Sequence, residues 1–113
     1  MVLRVLQVIA ALGTAATGLA ALLRPRSIGG FTGLTTEGAR GVTEIRAALG
    51  GFYLALGLLP LLLKEKAAYQ MLGYTYLIVA VVRAISMLVD KSVDPSNLIS
   101  LAVEIVFGIV LIL

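Results

Sequence analysis

The fold class this sequence predicts is an all-α, integral membrane, up-down four-helix bundle, and three observations predict it. Of 113 residues, 60% are hydrophobic and only 13% charged, against roughly 45–50% and 25% in soluble domains. Mean hydropathy is +1.08. Four apolar runs each reach about 20 residues, the length that carries a helix across a hydrocarbon core of ~30 Å. The runs are continuous and lack inside/outside alternation, which excludes a transmembrane barrel. Cys, His and Trp are absent. That removes disulfides, thiolate or imidazole metal sites and a His base, so neither a metal nor a cofactor is expected. Nine Lys+Arg against six Asp+Glu give +3, but the basic residues are scattered and imply no nucleic-acid partner.

The chain, 1–113, reads as one four-span domain with spans at about 2–23, 42–63, 67–89 and 96–113. The first is interrupted only by Arg4 and Gln7, and it is too long for the core of a secretory signal. Arg24-Pro25-Arg26 closes it, since Pro cannot continue the helical ladder. The connection that follows holds Gly29, Gly30, Gly33, Gly38 and Gly41. At about 18 residues it is long enough to suggest a functional loop. Lys64-Glu65-Lys66 forms a polar hairpin between spans two and three. Asp94-Pro95-Ser96 reads as an N-cap with Pro at the first helical position, opening span four. Four basic residues on one side (Arg24, Arg26, Arg40, Lys91) face three on the other (Arg4, Lys64, Lys66), so charge bias sets no orientation. The expected location is an integral, multi-pass one in a bacterial or archaeal cell membrane.

The residues a membrane should exclude carry the functional signal. Glu104 stands nine residues before Leu113, about 13 Å along a helix and so near mid-bilayer. Arg83 precedes Asp90 by seven residues on the loop side of span three, and Glu44 and Arg46 open span two from that side. An ionised group at the bilayer centre costs about 2.5–3.5 kcal/mol on insertion scales. The fold must offset that by pairing, and Arg83 has the reach and donor fork to bridge Glu104. Arg46 is a partner for Glu44 or Glu104.

Helical spacing gathers these groups inward. Gly73, Tyr76, Ala80, Arg83, Met87 and Asp90 form one stripe, and Asn97, Ser100, Glu104, Gly108 and Leu111 another. In span two, Glu44, Ala47, Gly51 and Ala55 align as a small-residue face, with Arg46, Gly50, Tyr53 and Gly57 beside it; in span one, Ala10, Thr14, Gly18 and Ala21 do the same. Small residues at this spacing let membrane helices approach closely. The candidate site is therefore Glu44, Arg46, Arg83, Glu104 and Asp90, with Tyr53 and Tyr76 filling the bundle or bonding to the ions. Two alternatives remain open: an ion network that only fixes helix register, and snorkelling of Glu44 and Arg46 to the surface. Tyr69 and Tyr74 read as interface-belt aromatics.

The run Glu44-Ile45-Arg46-Ala47, then Gly50-Gly51 and Gly57, resembles the E-x-R-A-x-x-G-G-x-x-x-x-x-G pattern of a family of small four-span membrane proteins, domain of unknown function 4345. Arg83, Asp90 and Glu104 match that family's Arg late in the third span, its Asp-containing turn and its Glu in the fourth. The similarity runs from about Pro25 to Leu113. Lys91-Ser92-Val93 departs from it, standing where a Gly-containing turn is expected. The resemblance implies a four-helix membrane fold, loosely similar to the DoxX-like group, and no activity.

Several functions fit the polar cluster. A ligand-binding or accessory membrane protein would hold a lipid headgroup, quinone or other amphiphile in an interior pocket roofed by the Gly-rich loop. Its partners would be membrane lipids and an amphiphilic small molecule. A proton-coupled transporter resembling small multidrug exporters is the alternative, although span one contains no acid and Glu104 would have to serve beside Arg83. An enzyme using Glu44 or Glu104 as acid/base is a third reading, with no nucleophile constellation or cofactor motif to specify it. A structural subunit, self-associating through small-residue faces, is the last.

Overall fold

Helix α1 (Val2–Leu23) ends where Pro25 withdraws the next ladder donor, in a computed structural model that describes residues 1–113. A one-turn helix α2 (Gly29–Thr32) follows, closed by Gly33 in the left-handed region at φ 77°. Helix α3 spans Gly38–Leu63 and starts four residues before the apolar run, because Arg40 and Glu44 form an (i, i+4) ion pair on its exposed first turns. Helices α4 (Lys66–Val89) and α5 (Pro95–Ile112) complete the chain. Asp94 precedes α5 in extended conformation with Pro95 inside the first turn, and its side chain makes no capping bond. The molecule is all helix. Leu62, Ile78, Leu88 and Val106 are each more than half exposed, the inverse of a water-soluble surface, and α1, α3, α4 and α5 are all long and apolar enough to cross a membrane.

The four long helices pack as two close pairs. In the first, Gly57 of α3 lies on the backbone of Ala11 and Ala15, and Gly18 of α1 on that of Gly50 and Leu54. In the second, Gly73 of α4 and Gly108 of α5 face one another. The pairs meet at the Lys64–Lys66 end, where Ala10, Ala11, Tyr69, Leu72 and Leu111 form the core. Two polar contacts reinforce that end: Gln7 Nε2 donates to the Val110 carbonyl at 3.1 Å, and the Arg4 guanidinium lies 4.9 Å from the centroid of the Tyr69 ring. Tyr69 is thus a buried core residue rather than an interface aromatic; Tyr74 is exposed. Toward the Gly-rich loop the pairs diverge, and α3 makes no close backbone approach to α5.

Residues Ile45–Gly51 of α3 are wound as a π-helix. Its wider turn shifts the phase of everything before it. Buried positions fall at Val42, Ile45, Gly50, Gly57 and Pro60, with a gap of five residues across the π segment. The face expected to pack inward (Glu44, Ala47, Gly51, Ala55) is exposed; Ala55 stands two residues, about 200°, from buried Gly57 and so on the far side of α3. The neighbouring Gly50–Tyr53–Gly57 stripe is the one that packs inward.

Two lysines take left-handed backbone conformations: Lys64 (φ 57°) ends α3, and Lys91 (φ 54°) turns the chain between α4 and α5. Such angles cost a residue with a Cβ about 1–2 kcal/mol, and glycine almost nothing. Lys91 occupies the place where a glycine-containing turn was expected, and the backbone there keeps the conformation glycine would favour. Lys64→Gly and Lys91→Gly are each expected to raise stability by about 0.5–1 kcal/mol, measured as midpoint shifts in thermal unfolding of detergent-solubilised protein.

Candidate functional site

Where the helix pairs diverge they leave a cleft of about 700 Å³, within the range of small-molecule sites. Leu49 and Tyr53 of α3 form one wall; Tyr76 and Arg83 of α4 and Asn97, Ser100 and Glu104 of α5 form the other. Phe31 and Leu34 of the Gly-rich loop cover it.

Glu104 is the deepest charge. It sits midway along α5, nine residues from Pro95 and eight from Ile112, and is 5% exposed. Arg83 meets it from α4. Its Nε donates to both carboxylate oxygens at 2.8 and 3.0 Å, and its Nη2 donates to Oε2 at 2.7 Å. Its Nη1 donates to Asn97 Oδ1 at 2.8 Å, and Asn97 Nδ2 donates to the Ser92 carbonyl at 2.8 Å. A polar ladder therefore climbs from mid-span to the α4–α5 turn. Antiparallel packing makes this possible, because it brings the last third of α4 beside the first half of α5.

Hydroxyls line the rest or, like buried Thr14, stand behind it. Thr14 of α1 donates to the Ala10 carbonyl at 2.8 Å, so its oxygen is left to accept from the Tyr76 hydroxyl. The Tyr76 ring packs edge-on against Phe107 with centroids 5.6 Å apart. The Tyr53 and Ser100 hydroxyls line the cleft with no hydrogen bond inside the chain, and neither is sealed from access. A smaller cleft of about 310 Å³ flanks the α4–α5 pair; Arg83 and Asn97 line it too, together with Asp90 and Ser86.

Of the residues singled out in the sequence, Arg83, Glu104, Tyr53 and Tyr76 share the larger cleft, and Asp90 lies on the smaller one. Glu44 and Arg46 do not join them. Glu44 pairs with Arg40 on its own helix at the surface. Exposed Arg46 donates through Nε to the Leu22 carbonyl at 3.1 Å, capping the end of α1. Two causes combine: the π turn puts Ile45 rather than Arg46 on the packed face, and each charge meets a partner at the surface, Glu44 one turn back on its own helix and Arg46 at the open end of α1. Asn97 and Thr14 join the site without having been named as candidates. Asn97 stands two turns before Glu104 on the same face, and that spacing was the signal available for it.

Fold and site together define a multi-pass helical membrane protein with an Arg–Glu–Asn cluster, buried at Glu104, on the wall of a loop-covered cleft. The chain belongs to the family described as domain of unknown function (DUF4345), whose profile matches residues 2–113. No curated protein and no solved structure matches it.

Proposed function

We propose that this protein is a binding or accessory component of the membrane, seating the polar end of an amphiphile in the cleft while the apolar tail lies among the lipid-facing residues beside it. The observation that carries this reading is the roofed 700 Å³ space set against the buried Arg83–Glu104 pair. A network serving helix register alone calls for no space beside it. Ile99 and Val103 on the rim of the same cleft supply an apolar flank for a chain. Proton-coupled transport fits less well, because both Glu104 oxygens are engaged by Arg83. The partners implied are membrane lipids and a small amphiphile.

Thermal unfolding in detergent, screened against a panel of lipids and short-chain quinones, tests this. A ligand at 100 times its Kd adds about 2.7 kcal/mol, a shift of several degrees. Ser100→Phe, which fills the cleft, is expected to remove that shift while the protein still folds. No shift with any member of the panel would overturn the reading.

A further inference from the structure

We infer that the head the cleft accepts is uncharged and carries carbonyl oxygens, as an ester-linked glycerolipid does; this rests on the binding role proposed above and narrows it. The first argument is charge. Arg83 and Glu104 are joined through both carboxylate oxygens, so the deepest part of the site is electrically neutral. An anionic head would give up its hydration without gaining net compensation and would lie beside the Glu104 carboxylate. A cationic head would find that carboxylate already bound, and the other carboxylate on the cleft, Asp94, is exposed beside the α4–α5 turn, where water already solvates it. Either ion pays its desolvation cost largely unopposed.

The second argument is the count of unspent hydrogen-bonding groups. A guanidinium has five N–H donors, of which Arg83 commits three, one each from Nε, Nη1 and Nη2. Two therefore remain. The Tyr53 and Ser100 hydroxyls, both on the cleft, add two more, and Asn97 keeps one of its two amide hydrogens after bonding Ser92. The groups at that depth that can only accept are engaged, Asn97 Oδ1 and the Glu104 oxygens by Arg83, and Thr14 Oγ1 accepts from Tyr76, while the Tyr53 and Ser100 hydroxyls can turn to donate or accept. A pocket floor that is neutral and rich in N–H donors selects uncharged acceptor oxygens.

Four probes of matched chain length separate the possibilities: dioctanoylglycerol (diester, neutral), 1,2-dioctylglycerol (diether, neutral), dioctanoylphosphatidate (anionic) and dioctyldimethylammonium (cationic). Affinity is read by titration of the tyrosine emission, which is unobscured because the chain has no Trp, with calorimetry in the same detergent as a check. The diester is expected to bind at least tenfold more tightly than either ion and severalfold more tightly than the diether. Tyr53→Phe removes one donor without touching the ion pair, and is expected to weaken the diester several-fold and the diether markedly less, ether oxygens being the poorer acceptors. Preference for the phosphatidate or the ammonium would overturn the inference and leave the cleft as a binding site. Equal affinity for diester and diether, or a Tyr53→Phe variant indistinguishable from the parent, would overturn the role of the carbonyls. Binding of none of the four would overturn the inference; the binding reading falls with it only if the lipid and quinone panel also gives no thermal shift.

Discussion

Arg83→Met is expected to cost about 3–5 kcal/mol, the usual penalty for breaking a buried ion pair from one side. It strands Glu104, 5% exposed at mid-span, and leaves Asn97 Oδ1 without its donor. The reverse change, Glu104→Leu, should cost less. The Arg83 side chain is 29% exposed, and its long stem lets the freed guanidinium move toward the α4–α5 turn. The double variant should recover most of the loss, because a Met–Leu contact between helices needs no desolvation. The cycle, read from denaturant or thermal unfolding in detergent, gives the coupling directly. Additive losses would mean that the two groups act independently, contrary to the geometry.

Gly57→Ala should be the most damaging substitution of a single hydrogen by a methyl. A Cβ there would lie 2.3 Å from the Ala15 nitrogen and 2.5 Å from the Ala11 carbonyl oxygen. Both are backbone atoms of α1, so no side chain can give way and the helices themselves must separate. Overpacking costs about 1–3 kcal/mol where neighbours can adjust; here the loss should reach or exceed the top of that range. Gly51→Ala is the control. It lies on the same helix facing outward, with nothing nearer than 3.9 Å, and should be neutral or slightly stabilising as alanine favours the helix. Equal thermal stability of the two variants would show that α1 and α3 are not in close register.

Much of this architecture was legible in the sequence because one force dominates in a membrane. Apolar runs of bilayer length become helices, and Pro25, Lys64 and Pro95 mark where they stop or start. The approach of Arg83 to Glu104 was legible for a related reason: two opposite charges at matching depth on neighbouring helices have few affordable alternatives. The faces of α1, α4 and α5 followed from ordinary helical spacing. Span two did not. Counting in steps of three and four placed Glu44, Ala47, Gly51 and Ala55 inside, whereas all four are exposed and the parallel stripe through Gly50 and Gly57 is the one seated on α1. No local residue announces the π turn, which brings Ile45 rather than Arg46 onto the face that Gly50 and Gly57 set. Glu44 and Arg46 were misplaced with it, each taking a nearby surface partner. The cleft was out of reach as well, since empty space depends on how two helix pairs diverge, and spacing within any one helix is silent on that.

The π turn also gives α3 a tolerance of length that its neighbours lack. One residue advances an α-helix by about 100°, so a deletion within a regular helix sets its two ends at odds. Within 45–51 a deletion instead shortens the interval between buried Ile45 and Gly50 from five residues to four, the ordinary α interval, and the Val42 and Gly57 ends both keep their seats. Along this stretch the chain absorbs a loss that the same helix one turn further on would not.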